Sequence, residues 1–340
     1  MHYTGLDVHS NQSTLQHMTE DGYLGIDLEM DTHEECFTDF FNQFDQPSVV
    51  VLEAGRHHWW LNNILQQHPN INEVKVVDAR RSRKLAEELS VQRGYGRAKN
   101  DRIDAEMLAE MARQGLAPEI HVPTIEQLAP RSLVRHRSQL LVQHTRAINK
   151  MHGLLGMHGV IIRTKDFFEQ YAAKADVIST LPPYTFIIID DLMSQISLYE
   201  TQVGTIEAEL DTMLPIDHPQ IKLLTTAPGI GIVLSRIIYT EIRDIMFFKE
   251  PKYLISYAGL APFEQDSNGK KGNIRLNKYS NHWLKYAFVE AAHHARTHEK
   301  YKHKYESDVK KHGKIRAKLN LARRLTKAVY WMLTRQQPFV

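Results

Sequence analysis

The sequence predicts an α/β domain with a mixed sheet, followed by a mainly helical chain, and three observations carry that expectation. Strand-like runs alternate with helical periodicities through about residue 115. No strand signal interrupts the pattern from Thr124 to about Leu155. A second helical stripe, Leu192, Ile196, Tyr199, Val203, Ile206 and Leu210, repeats at alternating spacings of four and three, as in a helix that pairs with another helix.

Taken in order, His2 to Val8 reads as a first strand, and Asp21-Gly22 marks a hairpin turn before the apolar-polar stretch Tyr23 to Met30. Thr32 then reads as a helix cap, because Cys36, Phe37, Phe40, Phe41 and Phe44 follow at helical intervals. Val49 to Leu52 is a continuous β-branched-rich run of the kind buried on both faces of a sheet, and Val74 to Val77 is a further strand. The segment Leu214 to Pro219 breaks the second helical stripe. Near the C-terminus, Ala317, Leu321, Leu325, Ala328 and Met332 form the apolar stripe of a last helix, with Arg316, Lys318, Arg323, Arg324 and Lys327 around it.

Composition narrows the class without naming a function. The chain of 340 residues, 42% hydrophobic and 24% charged, is that of a folded protein of two domains or two plus a spacer. Its only cysteine, Cys36, excludes an intramolecular disulfide and a cysteine-rich zinc knuckle, and fits a reducing cytoplasm. The start lacks the basic and apolar regions of a signal peptide, and no apolar run of about 18 residues suggests a membrane span. The net charge of +2 is too small to imply nucleic acid, but the basic residues cluster. Arg80, Arg81, Arg83, Lys84, Arg93, Arg97, Lys99 and Arg102 form one concentration, and Lys300 to Arg324 holds another. Such runs either hold phosphates or are solvated helix faces.

Four carboxylates carry the chemistry. Asp7 ends the first strand, Glu53 ends the Val49 to Leu52 strand, and Asp101 and Asp104 open a helix. Positions i and i+3 share a helix face, so a helix laid against the sheet brings both to Asp7 and Glu53. Carboxylates gathered that closely repel unless a cation holds them, and an all-oxygen donor set suits Mg²⁺ or Mn²⁺. Two such ions fit an in-line displacement at a phosphodiester. Read singly, each acid is also an ordinary strand-end or helix-start residue.

Two further segments stand out. Ala227-Pro228-Gly229-Ile230-Gly231 is a turn before an apolar helix, a helix-hairpin-helix-like arrangement whose backbone N–H groups suit a phosphate, or simply a tight interhelical connection. Gln265-Asp266-Ser267-Asn268-Gly269-Lys270-Lys271-Gly272 has the composition of a turn, which by itself explains Ser267. His57-His58-Trp59-Trp60 lacks metal-ligand spacing and reads as helix-start packing.

Together these motifs resemble, end to end, the DEDD transposases of the insertion sequence 110 family, which are RNA-guided recombinases. The resemblance rests on Gly5-Leu6-Asp7-Val8-His9, Leu52-Glu53-Ala54-Gly55 and Lys99-Asn100-Asp101-Arg102-Ile103-Asp104-Ala105, then Ala227 to Gly231, Tyr257-Ala258-Gly259-Leu260-Ala261-Pro262 and the Ser267 segment. Ser280-Asn281-His282-Trp283-Leu284-Lys285 departs from the Gly-Asn and Leu-Arg pairs frequent in relatives, which leaves Lys285 without an assigned phosphate contact.

The resemblance implies a ribonuclease-H-like (RuvC-like) domain over 1–160, a helical coiled-coil spacer over 161–215, and a C-terminal transposase domain over 216–340 with the helix-hairpin-helix-like turn and a catalytic serine. It makes Asp7, Glu53, Asp101 and Asp104 the metal-binding tetrad, with two Mg²⁺ or Mn²⁺ ions, and Ser267 the nucleophile that joins a DNA 5′-phosphate. Arg80, Arg81, Arg83, Lys84, Arg97, Gly229, Gly231, Lys270 and Lys271 are the expected nucleic-acid contacts. The implied partners are donor and target DNA, a structured non-coding guide RNA and further copies of the chain, as dimer or tetramer, in a bacterial or archaeal cytoplasm. The competing readings are a RuvC-like junction-resolving endonuclease, which needs the carboxylates and not Ser267, and a non-catalytic nucleic-acid-binding protein, against which the four carboxylates argue.

Overall fold

The computed structural model describes residues 1–44, 46–95, 100–162, 167–263, 275–276 and 280–340. The chain parts into two compact units, 1–124 and 125–340. In the first unit, strands β1 (His2–Val8), β2 (Gln12–Thr19), β3 (Leu24–Asp31), β4 (Ser48–Glu53) and β5 (Ile71–Val77) form one sheet in the order β3-β2-β1-β4-β5. The first three strands are antiparallel neighbours, whereas β1, β4 and β5 run parallel. This is the mixed sheet that the sequence predicts.

Helices cover both faces. Phe37, Phe40 and Phe41 of α1 (Glu34–Phe41) and Leu61 and Leu65 of α2 (His58–Gln66) bury against Leu6, Val50 and Leu52. On the other face, Leu89 of α3 (Ala79–Gln92) and Met107, Leu108 and Met111 of α4 (Asp101–Arg113) pack on Val49, Val51 and Val77. Alternate residues of β4 therefore feed opposite cores, which is why its sequence is apolar throughout.

Helix α4 lies unusually close to the sheet. A side chain at Gly5, in the middle of β1, would collide with the carbonyl oxygen of Ala105 and approach Ala109 N to 2.7 Å, so no side chain separates helix from strand. On its flank, Glu106 and Glu110 are buried, Glu106 bound by Arg93 and Tyr95, and Glu110 by Arg93, Arg113 and Gln114. Burial alone would raise the Glu110 carboxyl, but the hydrogen bonds from Arg113, Gln114 and Arg93 hold it down to about 2.

Thr32 is not the cap of α1. His33 holds that position with no side-chain cap, and the Thr32 hydroxyl instead donates to the His9 carbonyl at 2.9 Å and meets Ser13 Oγ at 2.8 Å. His57 to Trp60 pack at the start of α2 as expected, Trp60 Nε1 donating to His57 Nδ1 and Trp59 Nε1 to the Pro123 carbonyl.

The second unit opens with α5 (Ile125–Met157), followed by α6 (Phe167–Ala173), α7 (Ala175–Ile178) and α8 (Pro183–Met213). The stripe on α8 is occupied within the chain, by α5. Leu192 and Ile196 pack with Ala147, Met151 and Leu155, while Ile206 and Leu210 join Val134 and Leu140. Both helices fall in the compact unit that begins at Ile125, whereas the sequence places α5 and α8 on either side of residue 160.

Beyond them come α9 (Pro219–Thr225), α10 (Ile232–Ile242), a 3₁₀ turn at Ile245–Phe247, α11 (Pro251–Tyr257), a two-stranded ladder of β6 (Pro262–Phe263) and β7 (Arg275–Leu276), α12 (His282–Ala295) and α13 (Glu299–Arg335), which breaks at Gly313. Their shared core includes Ile237, Ile238, Phe288, Leu321, Leu325 and Val329. The polar centre of this unit is Glu241. It is fully buried and accepts from Arg131 and Arg135 of α5 and from Asn281 Nδ2, whose Oδ1 meanwhile caps α12. Burial works to raise the Glu241 carboxyl, and the Arg135, Asn281 and Arg131 donors outweigh it, leaving it below the usual range.

Gly5→Ala tests the seating of α4. Because the new methyl meets backbone on its tight side, we expect a loss of about 1–3 kcal/mol or more, read as a lower urea midpoint. Gly153→Ala, where a Cβ within α5 meets open space, should be neutral or gain up to about 1 kcal/mol. Equal midpoints for the two variants would refute the close-packing account.

Candidate functional site: a carboxylate cluster at the end of the sheet

The register of the parallel strands sets the first half of the site. Leu6 of β1 lies opposite Leu52 of β4, so the next residues, Asp7 and Glu53, follow side by side toward the carboxyl ends of adjacent strands. Helix α4 supplies the second half. Asn100 caps it by accepting from Ile103 N at 2.8 Å, which starts the helix at Asp101 and puts Asp101 and Asp104 in its first turn. Seated over Gly5, that first turn faces the end of β1.

The four carboxylates interact. Burial pushes the Asp7 carboxyl up to about 6; His9 opposes the rise, and Asp101, Asp104 and Glu53 each add to it. Asp7 is half-buried and Asp101 exposed. Glu53 is held in place by Ser82 of α3, whose hydroxyl donates to Glu53 Oε1 at 2.5 Å.

Two residues that the sequence reading did not single out join the site. Ser82 sits in a run of arginines and lysines, where nothing in its neighbours marks it; its burial does. His9, two residues after Asp7, brings Nε2 to 3.6 Å from both Asp7 Oδ2 and Asp101 Oδ2. The donor atoms of Asp7, His9 and Asp101 lie within 4.8 Å of one another, a set of hard oxygens and one imidazole that suits a divalent cation.

Of the expected nucleic-acid contacts, Arg80, Arg81, Arg83 and Lys84 are exposed on the first turns of α3, the helix that Asp78 caps and that Ser82 ties to Glu53. Arg93, read with that cluster, is instead spent inside the unit on Glu106 and Glu110, and Arg102 pairs with Asp27 at 3.2 Å. The buried glutamates at i and i+4 of α4 were the available signal for Arg93.

In the second unit, Gly229 has a positive φ of 81°, and a side chain there would collide with the Ala291 carbonyl of α12, so packing alone accounts for this glycine. Gly231 is the N-cap of α10 and has open space around it. The turn, Thr225, Thr226 and His294 line a shallow depression. In α13, Arg324 pairs with Asp308 at 2.8 Å and Arg323 donates to the Leu260 carbonyl, so part of that basic face is structural. Arg97, Ser267, Lys270 and Lys271 lie outside the described residues. Among the described residues, no helix is long and apolar enough to cross a membrane.

Two family models match the chain. The family model for DEDD transposases of IS110, described as a transposase, matches residues 4–158, and the model described as "Transposase IS116/IS110/IS902 family" matches residues 221–306. The chain is 25% identical over 249 residues to the transposase for insertion sequence element IS1111A of Coxiella burnetii, covering 71% of this chain and 68% of that one. It is 24% identical over 259 residues to a probable family 20 transposase of Pseudomonas aeruginosa, covering 75% and 72%. To the transposase for insertion sequence element IS1328 of Yersinia enterocolitica it is 27% identical over 194 residues, covering 57% and 58%.

The raised Asp7 carboxyl gives a pH signature. Its folded pKa of about 6 lies above the ordinary value near 3.9, so this group's contribution is fully present below about pH 4 and is lost as pH rises through 6. Without divalent ions, wild type should therefore lose thermal stability relative to Asp7→Asn between pH 4 and 6.5. A difference between the two that does not change with pH would contradict the coupling.

Proposed function

Because the chain belongs to the insertion sequence 110 family of DEDD transposases, we propose that it cuts and rejoins DNA strands at a divalent-cation site built from Asp7, Glu53, Asp101 and Asp104 of a ribonuclease-H-like domain, with Ser267 as nucleophile and a structured non-coding RNA selecting donor and target DNA. The family acts on DNA and depends on divalent metal. What supports the finer reading is that Asp7 of β1 lies beside Asp101 of α4 and feels the charges of Asp101, Asp104 and Glu53, each of which raises its carboxyl.

The donor set fits Mg²⁺ or Mn²⁺, with room in the chemistry for two ions; Asp7, Glu53, Asp101 and Asp104 would hold such a cation, which would supply charge neutralisation at a scissile phosphate. The protein's own groups do the rest. Ser82 fixes Glu53, Asn100 fixes the first turn of α4, and the exposed Arg80, Arg81, Arg83 and Lys84 offer charge to a phosphate backbone without reading bases. Arg97, Gly231, Lys270 and Lys271 are proposed as further backbone contacts. Gly229 remains in that set only through the backbone N–H groups of its turn.

The serine step balances without an external energy source. Ser267 Oγ gives up its proton, forms a bond to phosphorus and displaces the 3′ oxygen, leaving a free 3′-hydroxyl and a 5′-phosphoserine link. A 3′-hydroxyl from another strand reverses the step and releases the serine. Strand exchange between two DNA molecules needs more than one such centre, so the working form is a dimer or tetramer. Base pairing by the guide RNA leaves the protein to bind shape and backbone.

Asp7→Asn or Asp104→Asn should abolish metal-dependent cleavage while the fold survives. Ser267→Ala should leave nucleic-acid binding intact and remove both recombination and the protein-DNA adduct on a denaturing gel. Near-normal cleavage by both Asp variants sinks the carboxylate assignment, and an adduct persisting in Ser267→Ala sinks the serine.

Replacing Arg80, Arg81 and Arg83 together should flatten the slope of log affinity against log salt by up to about 2–3 units. An unchanged slope returns this face of α3 to solvent.

A further inference from the structure

We propose that His9 is a nitrogen ligand at the carboxylate site, giving a mixed nitrogen and oxygen donor set that favours a transition ion such as Mn²⁺ over Mg²⁺. This rests on the reading of Asp7 and Asp101 as cation ligands, and it adds a residue that the four-carboxylate pattern does not contain.

The three donor atoms are spaced as the ligands of one ion would be. His9 Nε2 stands 3.6 Å from Asp7 Oδ2 and 3.6 Å from Asp101 Oδ2. Both distances exceed a normal hydrogen bond, so the ring is not hydrogen-bonded to either carboxylate. With the three donor atoms all within 4.8 Å of one another, the nearest point equidistant from them lies no more than about 2.4 Å from each, within reach of a bond from a divalent cation to oxygen or nitrogen.

The backbone of His9 is fixed on both sides. Its N–H donates to the Gln12 carbonyl at 3.1 Å, and its own carbonyl accepts from Thr32 Oγ1 at 2.9 Å. The turn between β1 and β2 thus holds the imidazole beside Asp7, while the cap at Asn100 sets Asp101 on its other side. The Thr32 hydroxyl, unused as a helix cap, serves this turn. Imidazole is a poor ligand for Mg²⁺ and a good one for first-row transition ions, so a ring nitrogen in the first coordination sphere shifts the preference of an otherwise all-oxygen site.

The test uses the full chain with Mn²⁺ alone, read by pulsed electron paramagnetic resonance and by Mn²⁺ titration. Wild type should bind Mn²⁺ with a nitrogen-14 modulation in the spectrum. His9→Ala should lose that modulation, bind Mn²⁺ about tenfold more weakly and lose about tenfold in Mn²⁺ over Mg²⁺ preference, while Asp7→Asn should lose binding outright. Bound Mn²⁺ with no nitrogen modulation in wild type overturns the proposal and leaves the carboxylate site standing. So does a modulation that persists in His9→Ala. Wild type that binds Mn²⁺ no better than Asp7→Asn overturns the carboxylate reading and this inference together. The wild-type spectrum decides even where His9→Ala fails to fold.

Discussion

Helix α4 touches strand β1 backbone to backbone, and the geometry of the first unit follows from that contact. Gly5 lies under Ala105 and Ala109, so the helix axis sits as near the sheet as the main chains allow. A larger residue at any of the three positions would lift the helix and carry Asp101 and Asp104 away from Asp7. The remaining acids need no such device, because neighbouring parallel strands in register deliver Asp7 and Glu53 together. The cluster is thus a product of one short interhelix-to-sheet distance and one strand register.

Holding the acids together is electrostatically unfavourable, and the fold meets that cost with local partners. Ser82 binds Glu53, His9 stands between Asp7 and Asp101, and Asp7 is shifted toward its neutral form. At the far end of α4 the opposite solution is used. Glu106 and Glu110 are buried and paired with Arg93 and Arg113, so that end is locked by satisfied charge. One helix therefore carries a firmly paired base and an under-compensated tip, the charge imbalance on which the proposed cation site rests.

Much of this was legible before any coordinates. An aspartate ending one apolar strand and a glutamate ending another are conspicuous, and helix spacing joins Asp101 to Asp104. The long helices were legible from periodicity alone. What periodicity cannot supply is the partner: the α8 stripe declares that something packs on it, and only the fold shows that the something is α5, more than 30 residues earlier. Ser82 and Asn281 were silent for a similar reason, since a serine or asparagine gains its meaning from a glutamate distant in sequence. Thr32 was misread because a hydroxyl ahead of a helical pattern looks like a cap, whereas the His9 carbonyl claimed it. The role of Arg93 was not legible, because clustered arginines look alike until two acids of α4 prove to be buried against one of them.

The α5–α8 pair spans two separate apolar clusters, one around Ile206 and Leu210 that continues into α10, α12 and α13, and one around Met151, Leu155, Leu192 and Ile196 that does not. The distal cluster is small, and Met157, Ile161, Tyr184 and Ile187 around it are exposed. Cooperative units follow such divisions of the core more closely than they follow helix boundaries. Each long helix therefore belongs to two foldons at once: its proximal half opens only when the whole second unit opens, and its distal half opens by sub-global unfolding at lower free energy. Amide protection along a single unbroken helix then falls in a step, near the place where one core ends and the other begins.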